Sequence, residues 1–80
     1  MQLSVVRQLV NDHDVATLLA AEEAILEEQT PNIQVDGEDE GEQLTHVMAA
    51  IWVLKEMEEN NIPINKAVRN YTVKVRNSIS

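Results

Sequence analysis

Apolar residues return every three or four positions along most of this chain, and that spacing predicts helices rather than strands. Leu3, Val6, Leu9 and Val10 outline a short first helix over residues 3–10, with a strand as its rival because Val5-Val6 is β-branched. Asn11-Asp12-His13-Asp14 breaks the pattern and offers oxygens that can cap a following helix. A second helix is expected over residues 15–28, with Val15, Leu18, Leu19, Ile25 and Leu26 on one arc. Pro31 must end it, because the residue before a proline avoids helical backbone and proline itself donates no hydrogen bond.

Residues 29–41 hold both glycines and a dense acidic run, so they read as a loop with Ile33 and Val35 tucked against the body. The third helix is expected from about Asp39 to Glu59, where Asp39 and Glu42 stand at capping-box spacing. Leu44, Val47, Met48, Ile51, Trp52 and Leu54 cover more than half of its circumference, which suits a central helix with neighbours on several sides. Asn60-Asn61 ends it and Pro63 opens a fourth helix. There Ile64, Ala67, Val68, Tyr71, Val75 and Ile79 form a stripe opposite Lys66, Arg69 and Arg76.

The predicted object is therefore one domain over residues 1–80: an all-α, up-and-down bundle of three main helices plus a short N-terminal one. A chain of this length buries only about 60% of the surface its unfolded form exposes, so its own core is marginal. With no cysteine, neither disulfides nor thiolate chemistry can reinforce it. Self-association is the expected remedy, as a homodimer with two-fold symmetry. Leu3, Val6, Trp52, Met57 and Tyr71 are the candidate interface residues.

Charge is strongly segregated. All fourteen acids fall between Asp12 and Glu59, whereas Lys66 to Arg76 carries four of the six bases and no acid. A net charge of −8 argues against nucleic acid and anionic membrane as partners, since both are held chiefly through Lys and Arg. It favours a protein partner with a basic surface. The basic face of Lys66, Arg69 and Arg76 reads as a solvated surface or as the counter-surface to an acidic helix. Antiparallel packing is expected to bring Arg69 and Arg76 near acids of the second or third helix. The longest apolar run, Val47 to Leu54, is far short of the ~20 residues a membrane span requires. No stretch resembles a signal peptide, so a soluble cytoplasmic protein is expected.

Few residues suggest chemistry. Glu42 and His46 share one helical face, a turn apart, and Glu22 projects into the apolar arc of the second helix. Together they could form a metal-binding or acid/base site. Carboxylate-bridged sites in helical bundles, however, use Glu-x-x-His spacing and ligands from four helices. The simpler reading has His46 hydrogen-bonding a carboxylate or closing a packing seam. Glu22 is either buried against His46, Arg69 or Arg7, or the arc is rotated to let it reach solvent. The acidic run from Asp36 fails the EF-hand pattern, because its twelfth position is Val47 rather than a bidentate Glu. No phosphate loop or nucleophile motif is present around Ser4, Ser78 or Ser80. These absences favour a non-enzymatic interaction or adaptor module without a cofactor.

The segments EGEQLTHVMAAIWVLKEM and IPINKAVRNYTVKVRNSI, through Gly41, Glu42, Leu44, Thr45, His46, Pro63, Arg69, Tyr71 and Arg76, resemble a small bacterial family of all-helical proteins of unknown function. The resemblance covers most of the chain. It implies a fold and no catalytic residues. The resemblance also implies genes that often neighbour thioredoxin-like and peroxiredoxin genes, and hence a regulator or partner of such a protein. Without cysteine the chain could bind a redox protein but not relay its disulfides.

Overall fold

A computed structural model describes residues 1–79, except the side chain of Ile79; that residue's place in the apolar stripe and Ser80 lie outside the described residues. Four helices form a bundle: α1 (Leu3–Asp12), α2 (Val15–Leu26), α3 (Glu40–Asn60) and α4 (Ile64–Ile79). No strand occurs among the described residues, so the β-branched pair at Val5-Val6 serves a helix. As the apolar circumference of α3 requires, that helix is central and packs against α1, α2 and α4.

Each helix end has a local cause. α1 runs two residues beyond its predicted limit, because the His13 N–H still reaches the Leu9 carbonyl at 3.1 Å before the backbone turns extended. Asp14 Oδ1 then accepts from the Thr17 N–H at 2.8 Å and caps α2. α2 stops at Leu26, earlier than Pro31 alone demands. Glu28 adopts left-handed backbone (φ 60°), its N–H bonds the Ile25 carbonyl, and the Gln29 N–H bonds the Ala24 carbonyl. Those two bonds form a Schellman motif, built here without the usual glycine.

The loop accordingly spans residues 27–39, not 29–41. Asp39 caps α3 by accepting from the Glu42 N–H at 2.8 Å. The return half of the capping box is displaced by one residue, since Glu42 Oε1 accepts from the Glu38 N–H at 3.0 Å. Pro63 stands just ahead of α4, and its carbonyl accepts the first helical N–H, from Ala67.

The core comprises Val5, Val6, Leu9 and Val10 of α1, Leu18, Ala21 and Ile25 of α2, most of the inner face of α3, and Ala67 and Val68 of α4. Val35 is buried with it and Ile33 packs alongside, as their alternation in the loop suggested. α1 is thus a full wall of the core rather than an appendage.

Candidate functional site

Among the described residues His46 is the only buried polar one, with no exposed surface. Its position on α3 faces two segments at once. Nδ1 lies 2.7 Å from the Asp36 carbonyl of the acidic loop, and the backbone N–H of Gln2, at the start of α1, points at Nε2 from 3.0 Å. A carbonyl only accepts and a peptide N–H only donates, so these partners assign the proton to Nδ1 and a lone pair to Nε2. An imidazolium would set a second N–H against that of Gln2. One turn earlier, Glu42 reaches the same two segments, accepting from Glu38 and standing 3.9 Å from the nitrogen of Met1. The expected carboxylate partner of His46 is therefore replaced by two backbone groups.

Both ring nitrogens are occupied by the fold itself. Glu22 is not brought to His46. It lies half-exposed on the flank of α2, because Leu18, Ala21 and Ile25 turn inward and rotate the arc away from it. No hydrogen bond or ion pair engages Glu22 among the described residues, and Arg7 instead bonds Asn65. Nowhere among the described residues do three His, Cys, Asp or Glu side chains gather as a metal would require. A shallow cleft between α1 and the loop is lined by Asp12, His13 and Asp36, yet His13 hydrogen-bonds neither carboxylate. It holds no assembled acid–base pair.

The candidate interface residues divide. Val6 is fully buried within the protomer, so it cannot meet a second copy; α1 seals the core with it. Trp52 and Tyr71 pack on each other across α3 and α4, with ring centroids 5.6 Å apart and planes inclined at 54°. Burial pushes the Tyr71 hydroxyl above the usual phenol range. Asn70 Nδ2, donating to Glu56 Oε2 at 3.0 Å, fastens the same pair of helices. Met57 is half-buried against the core, and Leu3 is exposed. Lys66, Arg69 and Arg76 are exposed as expected, but no ion pair joins them to α2 or α3 among the described residues. Arg69 and Arg76 face α1 instead, in a groove with Leu3 and Arg7. Arg7, which the sequence offers only as a partner for Glu22, joins this groove from outside the basic tail.

Fold and site define a small all-helical bundle whose one buried imidazole holds structure together. No helix among the described residues is long and apolar enough to cross a membrane. The chain belongs to a family of unknown function, DUF6952, whose model matches residues 1–80. That agrees with the resemblance to an all-helical family without assigned activity. No curated protein and no solved structure matches the chain.

Proposed function

We propose that this chain is a non-enzymatic interaction module that works as a homodimer, joined through α3 and the adjoining flank of α2. The observation that carries this reading is the exposure of Met48 (52%) and Leu26 (64%), large apolar side chains left outside a marginal core. Helical projection sets Met48 on the side of α3 opposite His46, one turn before Trp52 and in line with the exposed Lys55. Leu19 and Leu26, two turns apart, occupy the flank of α2 opposite the one that the loop covers through Asn32 and Ile33. Pairing such strips supplies an apolar centre with Glu22 and Glu23 at its rim, and stable interfaces bury roughly 800 Å² per partner. The surplus negative charge outside that contact favours a basic-surfaced protein as a further, cytoplasmic partner.

Sedimentation velocity at tens of micromolar tests the dimer. The wild-type chain is expected to sediment as a dimer, and Leu26→Glu/Met48→Glu as a monomer with unchanged helicity. A wild-type monomer across that range contradicts the reading.

A further inference from the structure

α1 and α4 enclose an open groove of about 430 Å³, walled by Leu3 and Arg7 on one side and by Val68, Arg69, Val73 and Arg76 on the other. Its two remaining lining residues, Asn65 and Thr72, are neutral. In a chain of fourteen acids and six bases, three guanidiniums and no carboxylate line this one groove. The Arg7 guanidinium is held across it, with Nη1 donating to Asn65 Oδ1 at 2.6 Å. Arg69 and Arg76 stand two turns apart, roughly 10 Å along α4, and neither is ion-paired among the described residues. Between them on the lip of the groove Val73 is 44% exposed, and Leu3 is 37% exposed opposite. An apolar floor among unpaired cations contributes little to the protomer.

We infer that this groove docks an acidic amphipathic helix of another protein. Its apolar side chains cover Leu3 and Val73, while carboxylates two turns apart take the guanidiniums of Arg69 and Arg76 in forked hydrogen bonds. Charge complementarity selects this occupant, and the apolar floor separates it from nucleic acid. Nucleic acid carries a charge every ~1.7 Å of duplex, or ~3.4 Å of one strand, and would run on from the groove along the acidic body. A short helix ends where the bases end, and with a screening length of about 8 Å the local cations decide the contact. The groove lies between α1 and α4, apart from the α2/α3 surface proposed for self-association, so the two can be filled together.

The test uses fluorescence anisotropy on the full chain with three labelled probes. These are an alanine-based helical peptide of about four turns with Leu and adjacent Glu pairs two turns apart, its Glu→Gln twin, and a single-stranded oligothymidylate. The Glu peptide is expected to bind the wild-type chain and to weaken about tenfold or more in Arg69→Glu/Arg76→Glu. Lys74→Glu, on the same helix but outside the groove, is expected to leave affinity within about twofold. Equal binding of the two peptides, preference for the oligothymidylate, no loss in Arg69→Glu/Arg76→Glu, or no peptide binding at all overturns the proposal. Both arginines are exposed, and circular dichroism checks the fold. If charge reversal unfolds the chain, Arg69→Gln/Arg76→Gln is read by the same criteria. Sedimentation of the double variant at the wild-type oligomeric state supports a different protein as the occupant; conversion to monomer assigns the groove to a second copy and overturns it.

Discussion

Glu42 and His46, one turn apart on α3, hold the same two segments: the start of α1 and the acidic loop at Asp36 and Glu38. A pair that reads in sequence as the nucleus of a metal or acid–base site is thus a clamp for backbone. The consequence can be measured. His46→Ala removes both ring bonds and leaves a part-buried N–H and carbonyl without their partner beside a cavity, with an expected cost of about 2–3 kcal/mol. Urea unfolding reads the loss, and hydrogen exchange should localise it to the Gln2 amide and to residues 33–38. An unchanged midpoint contradicts the clamp.

Gly37 is needed for closeness rather than for unusual backbone angles. A Cβ there would stand 2.9 Å from the Gln43 backbone nitrogen and 2.8 Å from its Cγ, at the first turn of α3. The side chain can swing away, but the helix backbone cannot. Gly37→Ala is expected to destabilise by about 1–3 kcal/mol, seen as a lower melting temperature. Gly41→Ala meets only the Asp39 carboxylate, at 3.3 Å, and serves as the milder comparison.

At Glu28 the opposite change should help. A side chain in left-handed backbone costs about 1 kcal/mol that glycine does not incur, although glycine adds freedom to the unfolded chain. Glu28→Gly is expected to raise the urea midpoint by a net ~0.5 kcal/mol while leaving the helices intact. A lower midpoint contradicts the motif read at this helix end.

Asp14 ties stability to pH. Hydrogen bonds from Thr17 hold its carboxyl below the usual carboxylate range. Because the folded value is depressed, the cap's contribution is present above the unfolded value near 3.9 and fades as pH falls through the folded one. Asp14→Ala should therefore differ from wild type in melting temperature at neutral pH and converge with it in strong acid. A constant difference across that range assigns the loss to something other than the charged cap.

Helix existence and the central place of α3 were legible because burial on several sides writes itself into a broad apolar circumference. The end of α2 was not, since the Schellman motif places a glutamate where glycine is the usual signal. His46's partners were invisible for a plainer reason: backbone N–H and C=O groups have no residue identity. Val6 looked available to a partner because spacing reveals which face is apolar, not how deeply it sinks. Arg7 carried a faint sign, as α1, like α4, is acid-free until its last residue, Asp12. Only packing could join it to Arg69 and Arg76.

The central claim is that the chain's one buried imidazole serves structure and is closed to ligands. Long-range proton–nitrogen NMR on the full chain at neutral pH tests it directly, because the two ring nitrogens report their protonation separately. A single His46 species with the proton on Nδ1, unchanged by added Zn²⁺, Fe²⁺ or Mn²⁺, is the result predicted. A proton on Nε2, or shifts of both nitrogens on metal addition, would contradict the clamp and return His46 to the list of working residues.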